Sequence, residues 1–73
     1  MKILELSNPK TIGPILKSIR LEKNINQADA ARDMNMLPET LSRIERGIKA
    51  PSFIFMFKAM KYYGIDEVRL EIY

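Results

Sequence analysis

The chain has no cysteine, no histidine and no tryptophan, and each absence closes off a class of chemistry. Without cysteine there is no disulfide staple and no thiol nucleophile. Without cysteine or histidine no ordinary zinc site can form, and no imidazole is present for general acid/base work. The remaining titratable residues do not cluster as acid, base, nucleophile or metal ligand, so the sequence reads as a non-enzyme with no cofactor, no metal and no small-molecule substrate. Glycine and proline are scarce, at three and four residues, and no linker, repeat or low-complexity tract breaks the chain. No apolar run approaches the ~20 residues of a membrane span, and Met1–Leu6 is too short for a signal peptide. The expectation is therefore a single cytoplasmic domain over residues 1–73 that makes no use of a membrane.

What is present suits a small globular domain: 73 residues, 47% apolar and 29% charged. Apolar content is ample for a core, but a chain this short buries only a modest fraction of its surface, so oligomerisation is an expected stabiliser. The net charge of +3 and the pI near 9.4 lean mildly towards a polyanionic partner.

Helical patterning fills residues 9–63. Asn8-Pro9 reads as an N-cap followed by proline at the first helical position, and Ile12, Leu16 and Ile19 fall on one stripe. Pro14 implies either a kink or a helix that begins at Thr11–Pro14. Asn24 is expected to end this helix in a left-handed conformation. A second helix opens with Asn26 as N-cap, with Ala30, Ala31 and Met34 inward. Asn35 takes the positive φ of a tight turn. A third helix follows from Leu37 and Pro38, with Leu41 and Ile44 as core residues and Gly47 as its stop. In a fourth, after Pro51-Ser52, the expected stripe is Phe53, Phe57, Met60 and Ala59 or Tyr63. Ile54, Phe55 and Tyr62 are then left over for a partner surface. Gly64 ends this helix. Residues 67–73 alternate charged and apolar side chains, the period of a half-buried strand. Such a strand must pair with Met1–Leu6, with a partner chain, or with both.

Two short helices joined by a tight turn, the first with small inward residues, have the geometry of a helix-turn-helix. Gln27, Ala31, Asn35, Leu41, Ser42-Arg43-Ile44-Glu45, Gly47 and Pro51-Ser52 stand in one register, and in it the block Asn26–Ser52 resembles the Cro/C1-type helix-turn-helix family. The resemblance implies a mainly α, compact, four-helix, lambda-repressor-like domain that binds double-stranded DNA. Two departures stand out: Asn35 replaces the usual turn glycine, and Leu37-Pro38 replace a polar cap and a polar reader. Proline cannot hydrogen-bond a base, so reading shifts to neighbouring residues, with Leu37 or Pro38 available to pack on a thymine methyl.

On the same resemblance, Glu39, Thr40 and Arg43 face the major groove, with Arg43 the candidate for a bidentate contact to guanine. Glu39 either accepts from a cytosine amino group or pairs with Arg43 one turn on. Asn26, Gln27, Arg46 and Lys49 are the phosphate candidates. Relatives pair the glutamate of the Ile-Glu-x-Gly step with an arginine near the end of the first helix. Arg20 and Glu45 are accordingly read as a structural ion pair.

The opening Asn8-Pro9-x-Thr-Ile-Gly, the small size and the closing strand look like the HipB-like antitoxins. That likeness implies a homodimer on a palindromic operator, an intersubunit sheet built from Val68, Leu70 and Ile72 (residues 67–73), and a HipA-like serine/threonine kinase toxin as partner. The alternatives are a free-standing phage or host repressor of the same fold, or a protein-interaction module that no longer binds DNA.

Overall fold

The computed structural model describes residues 3–6, 9–65 and 67–70, with side chains described from 10 to 65. A short 3-10 turn over Pro9–Thr11 leads into α1, Ile12–Glu22. Ile12, Leu16 and Ile19 are buried on one face of α1, four and then three residues apart. Pro14 is the third residue of α1, so its missing amide is one of the first four, which have no acceptor within a helix in any case. The second of the two readings of Pro14 therefore holds: the helix starts just before it. Asn8, the expected N-cap, lies outside the described residues. Beyond α1, Asn24 takes φ 57° and reverses the chain.

The helix α2, Gln27–Asp33, starts where the Asn26 side chain accepts a hydrogen bond from the Asp29 amide at 2.8 Å. Its Ala30 and Ala31 are completely buried, and their small size lets the neighbouring helices approach closely. Asn35, at φ 55°, makes the turn into α3, Pro38–Glu45. Asparagine here does what glycine does elsewhere, because its short polar side chain tolerates the left-handed region. Pro38 is the first residue of α3, where its fixed φ is already helical. Leu41 and Ile44 turn inward. The packing of α1 on α3 depends on Gly13, since a Cβ there would overlap the main-chain carbonyl of Ile44.

The fourth helix, α4 (Phe53–Tyr63), is capped by the Ser52 hydroxyl, which accepts from the Phe55 amide at 3.1 Å. It ends at Gly64 with φ 68°. Its buried stripe is Phe55, Ala59 and Tyr63. This corrects the phase expected from the sequence: Phe53 and Phe57 are 85% and 72% exposed, and Phe55 lies in the core. The segment Phe-Ile-Phe-Met-Phe is apolar on every side, so periodicity alone does not select which face turns inward. Tyr62, also read as a partner-facing residue, is half-buried and donates its hydroxyl to Asp33 at 2.7 Å. The common core gathers Leu16, Leu41, Ile44, Phe55 and Tyr63 from α1, α3 and α4 around the two α2 alanines.

A two-stranded parallel sheet joins β1, Ile3–Leu6, to β2, Glu67–Leu70, within the chain. Its register sets Leu4 opposite Val68 and Leu6 opposite Leu70, apolar against apolar. Ile72 lies outside the described residues. A parallel pair needs a long crossover, and here the whole helical domain serves as one.

Candidate nucleic-acid interface

The interface is organised from beneath by a buried charged hub. Arg20 of α1 donates from Nε to Glu45 Oε2 at 2.8 Å and from Nη2 to Oε1 at 3.0 Å, a two-pronged pair. Its Nη1 donates to the carbonyl of Ile25 at 2.7 Å, in the segment between α1 and α2. Gln27, the first residue of α2, donates Nε2 to Glu45 Oε1 at 2.9 Å. One carboxylate at the end of α3 thus holds the end of α1 and the start of α2, which fixes how the two helices of the motif sit against each other. The hydrogen bond to Glu45 raises the pKa of the Arg20 guanidinium above its ordinary value, against the opposing pull of burial. A planar guanidinium with a fixed fork matches a carboxylate in this way, and lysine would not reproduce it.

Around this hub the structure separates the residues that the sequence groups together. Arg43 and Glu39 lie on the exposed face of α3, at 54% and 73% side-chain exposure, and Arg43 Nη2 donates to Glu39 Oε1 at 2.9 Å. Leu37 and Pro38 are exposed at the start of α3, as are Arg46 and Lys49 just beyond its end. Arg46 Nε reaches back to the Ser42 carbonyl at 3.3 Å. Asn26 is exposed, and its side-chain oxygen is taken up by the helix cap.

Two expected contacts are placed differently. Thr40 is half-buried and lines a cavity between α3 and α4 together with Met34, Met36 and Ile44. The Gln27 side chain is committed to Glu45. Its side-chain amide and the Glu45 carboxylate are near neighbours, and a carboxylate that two donors share is a strong acceptor.

Two further residues shape the site in ways the sequence did not assign them: Gly13 entered only as the end of the opening motif, and Tyr63 only as a position in the α4 stripe. Gly13 sets how closely α1 approaches α3; the only trace of this in the sequence is a glycine within a helical stripe, where it costs stability unless space demands it. Tyr63 is 1% exposed, and its hydroxyl has no hydrogen-bond partner among the described residues. Burial, and then the charge of Glu45, push its pKa up to about 12. The α4 pattern offers Tyr63 as a core position but not the setting of its hydroxyl, because Glu45 and Arg20 come from distant parts of the chain.

Among the described residues no group of three acidic, histidine or cysteine side chains could hold a metal ion. No helix among them is long and apolar enough to cross a membrane. A family model described as helix-turn-helix matches residues 16–70, most of the chain. No curated protein matches the chain, and no solved structure does.

Proposed function

Because the chain belongs to the Cro/C1-type helix-turn-helix family of DNA-binding transcription regulators, and is not an enzyme, we propose that it is a sequence-specific repressor that binds a palindromic operator as a homodimer. The observation that carries this reading is the solvent-facing Glu39–Arg43 edge of α3, mounted on a helix pair that the Arg20–Glu45–Gln27 hub holds at a fixed angle. A recognition helix must present polar groups to base edges from a rigid support, and the exposed Glu39–Arg43 pair over the buried hub supports that role for α3.

In this reading Arg43 contacts guanine and Glu39 orients it. Leu37 and Pro38 meet a thymine methyl, and Arg46, Lys49 and the exposed Asn26 lie along the phosphates. Gln27 acts chiefly through Glu45, and Thr40 supports α3 from behind. One reader helix spans only a few base pairs, so a two-fold dimer supplies both affinity and register. Each strand of the β1–β2 sheet uses one edge within the chain. Two β2 strands meeting at their outer edges would join the sheets of two copies, with residues 67–73 as the dimerisation segment. By its likeness to HipB-like antitoxins the chain is further proposed to pair with a HipA-type kinase toxin and to repress their shared operon.

Selection of bound sequences from random duplexes, followed by binding titrations at several salt concentrations, tests this reading. The expected result is a palindromic consensus bound by two chains, with affinity falling steeply as salt rises. A non-palindromic consensus bound by one chain would remove the dimer, and no duplex binding at low salt would leave only a protein-interaction role. A kinase-like reading frame beside this one in the same operon would separate the antitoxin from a free-standing repressor.

A further inference from the structure

Every acidic residue of the helical region lies before Arg46. From there to Ile65 the chain carries Arg46, Lys49, Lys58 and Lys61 but no aspartate or glutamate. The outward stripe of α4 runs Ile54, Phe57, Lys58, Lys61, at the three- and four-residue steps of one helical face. Its first half is apolar: Phe53, Ile54 and Phe57 are among the most exposed large hydrophobic side chains. Its second half is basic, and neither lysine has an ion-pair partner among the described residues.

The stripe edges a furrow. One cavity of about 210 Å³ lies between α3 and α4, with Met34, Met36 and Ile54 in its walls and Lys49 and Lys58 at its rim. A second, of about 320 Å³, continues along α4 past Lys58 and Lys61 and shares Met34 and Lys58 with the first. Asp33, the acid among its lining residues, accepts from the Tyr62 hydroxyl and lies beside Arg32. Methionine walls adapt to varied apolar side chains, as protein-docking grooves require.

We propose that this furrow is a docking surface for an acidic amphipathic helix of another protein, its apolar side chains seated between Met36 and Ile54 and its carboxylates on Lys58 and Lys61. Charge selects this occupant. A second copy of the same surface would set lysines against lysines, whereas an acidic helix pairs with all of them. Gln27, Glu39, Arg43 and Arg46 line neither cavity, while Thr40 and the phosphate candidate Lys49 line the first, so the surface adjoins the reading edge of α3 at Lys49 and extends away from it along α4 past Lys58 and Lys61.

The test uses the full chain and two synthetic peptides of identical leucine and glutamate content. One has leucines at helical spacing, and the other is scrambled so that no apolar face forms. Nuclear magnetic resonance titration is expected to move the amides of Met34, Met36, Ile54 and Lys58 with the patterned peptide, and to show at least tenfold weaker binding of the scrambled one. The variants Ile54→Asp and Lys58→Glu/Lys61→Glu are expected to weaken the patterned peptide at least tenfold at an unchanged melting temperature, since all three side chains are exposed. Equal binding of both peptides, or shifts centred on Arg43 and Arg46, would overturn the proposal. So would concentration-dependent self-association that Phe53→Asp/Phe57→Asp abolishes, which would give the face to a second copy.

Discussion

The segment from α1 to α3 and the helix α4 solve the same burial problem in opposite ways. In the first, apolar side chains turn inward and the outer faces are mainly polar: Lys17, Lys23, Asp29, Arg32, Glu39 and Arg43 are exposed or half-exposed. In α4 the inner stripe of Phe55, Ala59 and Tyr63 is matched by an outer one of Phe53, Ile54 and Phe57. A face that only has to keep the protein in solution has no need of two phenylalanines, and contiguous exposed apolar patches mark interaction sites. The difference supports the two proposals together: a polar ligand for the motif-bearing half, and for α4 a second surface besides its share of the core.

Paired truncations on α4 sharpen this contrast most. Phe55→Ala should cost about 3–5 kcal/mol, the usual loss for a buried aromatic. Phe57→Ser should stay within about 0.5 kcal/mol, as exposed sites do. Chemical denaturation of the two variants checks both, and equal losses would mean that the phase of the helix is wrong. On the α1–α3 side, Arg20→Ala should cost about 3–5 kcal/mol, because it strands the Glu45 carboxylate in a buried site. The same denaturation measurement checks it.

Gly13→Ala should follow, costing on the order of 3 kcal/mol, the upper range for overpacking, because the added methyl meets main chain that cannot rotate away. Thermal melting checks this, and an unchanged melting temperature would show that α1 and α3 do not approach as described.

Much of the motif-bearing half was legible because its signals are local. Asn24 and Asn35 take their left-handed turns at φ 57° and 55°, and Asn26 caps its helix, each for reasons carried by one side chain and its neighbours. The Arg20–Glu45 pair is present, as the resemblance implied. What was illegible depends on partners distant in sequence. The phase of α4 is set by what it packs against, since its first five residues are all apolar. Thr40 is drawn towards the cavity that α4 completes, Gln27 is captured by a carboxylate eighteen residues further on, and Gly13 answers to a carbonyl on α3. None of these leaves a period or a motif.

The smallest effect concerns Tyr63, where the two halves meet. Its buried hydroxyl lacks a partner among the described residues, so Tyr63→Phe should leave stability at neutral pH unchanged or raise it by up to about 1 kcal/mol. The sign of the pH dependence follows from a folded pKa near 12, raised from an ordinary value of 10.0. Below pH 10 the phenol keeps its proton in both states. Between pH 10 and 12 the unfolded chain gives it up more readily, so stability falls as pH rises. Melting curves across this range should be flatter for Tyr63→Phe. A residual slope should remain from Tyr62, whose hydrogen bond to Asp33 also raises its pKa.

The central claim, that the exposed edge of α3 reads DNA, is tested most directly by comparing Arg43→Ala with the wild-type chain on a selected operator and on its single-base variants at fixed salt. The account predicts that the variant melts normally and keeps most of its nonspecific affinity. It should lose about 1–3 kcal/mol of discrimination at one guanine position in each half-site. An unchanged preference at every position would contradict it.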